Sequence, residues 1–156
     1  VVGRNDVPEH SGPPEPPAHR QPLLIALVFV GGVCGSAVRY ALGLAVPTRT
    51  GDWPTSTFVV NIAGAFVLGL LVEALVRAGA DDGWRRRLRL FAGTGFCGAL
   101  TTYSALAVES DLLVRGHHPG LAATYALVSV AAGLVATGLG ITVSAALHHR
   151  AERGQP

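Results

Sequence analysis

Four apolar runs, each long enough to cross a bilayer as a helix, constrain this chain more than any other feature it has. The first extends from Leu23 to about Val46, interrupted only by Arg39, and the second from Thr55 to about Val76, with Glu73 near its end. The third, Leu90 to about Leu113, is polar at its centre, and the fourth, Leu121 to Leu147, carries no charge. About 20 predominantly apolar residues cross the roughly 30 Å of hydrocarbon, and a helix satisfies every backbone donor and acceptor within the segment. All four runs reach that length. Only 14% of the 156 residues are charged and 49% are hydrophobic, where a soluble domain has about 25% charged. The predicted fold class is therefore an all-α membrane protein of four transmembrane helices, with a break in the third. No stretch remains that is long enough for a separate soluble activity.

The flanks differ in composition. Residues 1–21, with Pro8, Pro13, Pro14, Pro16 and Pro17 among polar side chains, read as a disordered tail, residues 22–147 as the transmembrane unit, and residues 148–156 as a polar C-terminal tail. Pro54 and Pro119 stand where helix starts tolerate proline. A net charge of +2, with arginines in loops and no basic stripe, argues against a nucleic-acid partner. With four spans, Arg4, Arg20, Arg77, Arg85, Arg86, Arg87, Arg89, Arg150 and Arg153 fall on one side, against Arg49, Arg115 and at most Arg39 on the other. The basic side is the cytoplasmic one, so both termini are predicted inside and the chain is placed in the cell's inner membrane as a multi-pass protein.

Small residues recur four apart, at Gly31 and Gly35, Ala65 and Gly69, and Ala136 and Gly140. That spacing lets helix backbones approach closely in lipid, where packing drives association, and predicts a tight bundle. Cys34 and Cys97 lie inside apolar runs and read as small buried side chains.

Polar side chains at membrane depth are the functional candidates. The carboxamide of Asn61 cannot be satisfied within its own helix, so it must face water, a partner helix or an ion. Tyr125, Ser129, Gly133 and Thr137 fall at intervals of four and share one face of the last span, either as a helix contact or as a water-facing track. The third span holds GTGFCGALTTYSAL from Gly93 to Leu106, including Tyr103 and Ser104. Three glycines followed by two threonines make an unbroken helix doubtful. A helix broken in mid-membrane bares carbonyls and amides, which suits a bound ion: Na+ for the carbonyls, a small anion for the hydroxyls and amide protons.

These residues carry a resemblance. GGVCGSAVRY at Gly31 to Tyr40, FVVNIAGAFVLG at Phe58 to Gly69 and GFCGALTTYSALAVE at Gly95 to Glu109 resemble the CrcB/Fluc family of fluoride channels over about residues 28–145. The resemblance implies a dual-pore channel of two antiparallel subunits, fluoride as the permeant ion, export of cytoplasmic fluoride and so resistance to its toxicity, and no enzymatic activity. It implies a fluoride pore at Asn61, Tyr103, Ser104, Tyr125 and Ser129, a vestibule at Arg39 and Glu109, and a structural Na+ at the dimer centre held by backbone carbonyls of Gly98 and Thr101. The chain departs from the family at Tyr103 and Leu106, where two phenylalanines are expected, and at Gly133, where a hydroxyl is expected. The arginine bias and these departures favour a heterodimer with an oppositely inserted sister subunit over a homodimer. The alternative is a small four-helix multidrug or cation exporter, which needs an acid in span one that this chain lacks. Partners are then fluoride, membrane lipid and the second subunit.

Overall fold

The computed structural model describes residues 20–49 and 51–153, so nearly all of the proline-rich N-terminal tail lies outside the described residues. The described chain is helical. Helix α1 (Pro22–Ala45) starts on a proline, which needs no backbone donor in the first turn. Helix α2 (Thr55–Ala78) follows the buried Pro54 and stops at Gly79, whose φ of 112° takes the chain out of the helix.

The third crossing is assembled from pieces: α3 (Gly83–Leu88), a π-helical stretch Arg89–Cys97, a single turn α4 (Gly98–Leu100), and, after a break at Thr101 and Thr102, α5 (Tyr103–Arg115). The break in the third span is therefore present, three residues past Gly98. The crossing is longer than its apolar run, because the Trp-Arg-Arg-Arg segment is helical although not apolar. The same holds for α6 (Pro119–Arg153), which continues through His148 and His149; the start of the polar C-terminal tail is thus a helical extension. Four helical crossings are long and apolar enough to span a membrane.

Two glycine-mediated crossings set the bundle. Gly31 and Gly35 of α1 lie under the backbone carbonyls of Phe91 and Phe96 in the π-helical stretch, and Gly95 approaches the Val28 carbonyl from the other side. On the opposite flank α2 packs along α6, with Gly69 against Thr137 and Gly140 against Phe66, backbone to backbone. A Cβ at any of these positions would collide with main chain, which cannot rotate away. The small-residue spacings in the sequence mark these contacts, and Ala136 is buried beside Gly140.

The interior of one chain is small. Leu106, Leu113, Ala122 and Tyr125 form its core, flanked by Trp53, Phe58 and Leu121. Most large apolar side chains face outward, Phe29, Leu127 and Leu134 at 71–72% exposure among them, as expected where lipid or another subunit is the solvent. Of the two cysteines, Cys97 is buried as expected and Cys34 is exposed on α1. The expectation fails for Cys34 because only a narrow stripe of α1, Leu24, Gly31 and Gly35, is covered within one subunit, and Cys34 flanks it.

Candidate functional site

The break in the third crossing has a specific local cause. Thr101 turns to ψ 152° and Thr102 to φ −150°, both extended. The Thr102 N–H donates to Asn61 Oδ1 at 2.7 Å, and Asn61 Nδ2 donates to the Thr102 carbonyl at 3.1 Å. The carboxamide of α2 thus satisfies both backbone polar groups of the residue that leaves the helix. The Thr102 hydroxyl then caps α5, accepting from the Ala105 N–H at 3.2 Å, and shares a hydrogen bond with Ser104 Oγ at 3.0 Å. In a continuous helix the Thr102 and Ala105 amides would serve the carbonyls of Gly98 and Thr101. Both are directed elsewhere. Backbone oxygens at positions 98 and 101 are therefore released from the helix at the centre of the crossing, with Gly98 on the exposed surface of the subunit.

Beside the break is an open cleft of about 480 Å³ lined by Arg39 and Gly43 of α1, Ser56, Thr57 and Val60 of α2, and Thr102, Ser104 and Glu109 of the third crossing. Among the described residues no ion pair involves Arg39, and the cleft holds its guanidinium together with the Glu109 carboxylate. Glu109, at its inner edge, accepts from Thr57 Oγ1 and from Tyr125 Oη, each at 2.6 Å. The two carboxylate oxygens of Glu109 thus each take one hydroxyl donor, charge-assisted bonds that hold the carboxylate between α2 and α6. Glu109 also lines a second cleft of about 520 Å³, with Arg49, Asp52 and Arg115 at its rim.

Tyr125 is completely buried, and its ring is held edge-on by Trp53 at 5.3 Å between centroids, with Phe58 edge-on to Trp53 at 5.5 Å. The segment before α2 therefore fixes the phenol of α6. One turn further along α6, Ser129 is buried and its hydroxyl has no hydrogen-bond partner. Other hydroxyls bond back to their own helix: Ser110 to Leu106, Thr124 to Gly120 and Thr142 to Leu139. Ser129 does not, although the Ala126 and Tyr125 carbonyls lie in reach of such a bond in any helix. One turn from Tyr125 the fold therefore leaves a buried hydroxyl open. Further along α6, Gly133 offers no side chain, a Cβ there would meet open space, and Thr137 bonds to the Gly133 and Ala65 carbonyls.

The structure thus brings together Arg39, Ser104 and Glu109 at one cleft, joins Tyr125 to it through Glu109, places Ser129 one turn from Tyr125, and ties Asn61 to the break at Thr101 and Thr102, with Gly98 in the turn before it. It does not bring Tyr103 to the cleft; that ring stands on the subunit surface at 81% exposure. Leu106 points into the core beneath Tyr125, at 8% exposure. Thr57 escaped the reading of the sequence, and Thr102 entered it only as one of the two threonines that interrupt the third span. For Thr57 a signal existed, since Thr57, Asn61 and Gly64 fall three and four apart on one face of α2. For Thr102 the composition marked the interruption but not its bond to Asn61, because that bond is made by its backbone.

A profile of the family described as CrcB-like protein, Camphor Resistance (CrcB), matches residues 26–141. The chain is 46% identical over 131 residues to a protein of Leifsonia xyli subsp. xyli named fluoride-specific ion channel FluC 2, covering 84% of this chain and 90% of that one. It is 46% identical over 114 residues to fluoride-specific ion channel FluC 1 of Cutibacterium acnes, covering 73% of this chain and 80% of the relative. It is 41% identical over 140 residues to fluoride-specific ion channel FluC 3 of Streptomyces avermitilis, covering 83% and 67%. The match extends across all four crossings, so this chain, a multi-pass membrane protein, belongs to the CrcB family.

Proposed function

We propose that the chain is a subunit of a fluoride-selective passive channel that lets fluoride leave the cytoplasm. The observation that carries this reading is the set of donors at Arg39, Ser104, Thr57, Tyr125 and Ser129, two of them engaged by Glu109, in a chain nearly half identical to proteins named for fluoride. Fluoride is small and holds its water tightly, so it enters a narrow path only where donors replace that water. Arg39 and the N-terminus of α5 raise the local potential for an anion at the cleft. An entering fluoride competes with the Glu109 carboxylate for Thr57 and Tyr125, and the second Nδ2 proton of Asn61 adds a donor at the break. Tyr103, exposed in the single subunit, supplies its ring at the face where a second subunit packs.

The functional unit in this reading is an antiparallel pair. The released carbonyls of Gly98 and Thr101, two per subunit, suit a monovalent cation such as Na+ at the dimer centre, where it would neutralise the inward-facing oxygens of both breaks. The arginine distribution, with nine of twelve on the tail and α2–α3 side, fixes one orientation with both termini in the cytoplasm, so the partner is a sister subunit inserted the other way. The numbered names FluC 1, FluC 2 and FluC 3 among the relatives fit such pairing. The exporter alternative finds no acidic side chain in α1.

Fluoride efflux from liposomes containing the purified chain, alone and with a sister chain, tests the reading against chloride as control. Fluoride-selective release in either preparation is the expected result. Release of neither ion from both overturns it.

A further inference from the structure

Asn61 has more to do at the break than a pore lining requires. Its carboxamide makes a reciprocal pair of hydrogen bonds with the backbone of Thr102, at 2.7 Å and 3.1 Å, in the manner of a neighbouring strand. One turn along α2, Gly64 is buried with the methyl group of Thr101 seated over it, where any Cβ would collide. Thr101 is also pinned at its start, its N–H and hydroxyl both donating to the Cys97 carbonyl at 3.0 Å and 2.9 Å. One face of α2 therefore grips both residues of the break. The grip diverts the Thr102 amide from the Gly98 carbonyl and leaves the Thr102 hydroxyl to draw the Ala105 amide from the Thr101 carbonyl. Without the carboxamide the Thr102 amide loses its partner, and the Gly98 carbonyl one turn back is the backbone acceptor that a regular helix would give it.

We infer that Asn61 is the positioning residue of the cation cradle, its carboxamide holding the helix open at Thr102 so that the carbonyls of Gly98 and Thr101 stay available as ligands, with Gly64 seating Thr101 beside it. This role rests on the reading of those carbonyls as a cation site. It differs from a role in anion contact in that it acts on cation affinity, whatever the permeant anion.

The experiment uses the full-length protein, with its partner if the efflux assay requires one, and titrates Na+ against N-methylglucamine, reading thermal stability and fluoride efflux in parallel. Asn61→Asp keeps the acceptor for the Thr102 amide and loses the donor to its carbonyl, while Asn61→Leu loses both. The expected result is a rise in the Na+ midpoint of about 10- to 100-fold for Asn61→Leu, the range seen when a residue orienting a metal ligand is removed. A smaller rise is expected for Asn61→Asp, which keeps one of the two bonds to Thr102. Amide exchange at Thr102 and Ala105 is expected to change in the same order. If Asn61→Leu does not fold, Asn61→Asp carries the test by its midpoint and its exchange. A wild-type channel that responds to Na+ with a midpoint that Asn61→Asp and any folded Asn61→Leu leave unmoved overturns the role of Asn61 alone. A wild-type channel that conducts fluoride indifferently to Na+ overturns the cation site and this role with it, leaving the fluoride reading intact.

Discussion

Glu109 is held by one threonine and one tyrosine hydroxyl, and its chemistry follows from that pairing. Removing one of two donors from a half-buried carboxylate costs about 1–3 kcal/mol, so Tyr125→Phe is expected to lower the melting temperature and slow fluoride efflux. Both are read on the purified channel, by thermal unfolding and with a fluoride electrode. Leu106 answers differently from what its place in the motif suggests. Its side chain fills the core under Tyr125, and Leu106→Phe adds volume where there is little, at a cost of about 1–3 kcal/mol. The expected outcome is a less stable channel with no gain in flux, which thermal unfolding and efflux of the single variant decide. Polar groups within apolar runs marked Asn61 and Tyr125, and the family resemblance supplied Arg39 and Glu109. The sequence did not separate Tyr103, which faces outward, from Leu106, which faces inward. They are three residues apart on one helix, and which neighbours cover each is not a local property.

At the scale of the element, the bundle depends on backbone approach. Gly140 lies against the Phe66 carbonyl where α6 crosses α2, so Gly140→Val must push two backbones apart, a change for which no rotamer offers relief. Loss of thermal stability and of all flux is expected, whereas Gly138→Val, with open space around it, retains both. The α2–α3 loop has its own tether. Arg89 reaches Asp81 through two nitrogens at 2.6–3.0 Å, and this hydrogen bonding holds the Asp81 carboxyl below the usual carboxylate range. A carboxylate with a depressed pKa stabilises the fold at pH above its unfolded value, and that contribution is lost as pH falls through the lower, folded value. The pair is half-exposed, so the effect is small. It is read from Trp84, 63% exposed three residues from Asp81, in a Trp53→Phe background. The Trp84 emission is expected to shift only below the ordinary carboxylate range, and Asp81→Asn to abolish the shift. Helix type and approximate ends were legible from apolar run length and proline position. The ends of the third and fourth helices moved outward because helicity continues through arginine and histidine, while the apolar signal stops at them.

At the scale of the molecule, one subunit leaves most of its large apolar side chains uncovered and Gly98 on its surface, which suits a pair in a bilayer. If the arginine distribution sets the orientation, moving charge should move the chain. Replacing Arg85, Arg86 and Arg87 with glutamine while adding three arginines between α1 and α2 is expected to yield a mixed population by cysteine accessibility at the termini. A single fixed orientation in that variant would show that another feature decides it. Four membrane crossings, a polar interruption in the third and the close-packing glycines could be read from the sequence alone, because hydrophobic length, hydrogen-bonding need and side-chain size are properties of the residues themselves. Only the tertiary structure decided that Asn61 binds the backbone of a residue 41 positions away, that Thr57 and Tyr125 meet on Glu109, and that Leu106 turns inward. Each of those depends on which helix faces which, and facing is settled by the packing of whole helices rather than by any local preference along the chain.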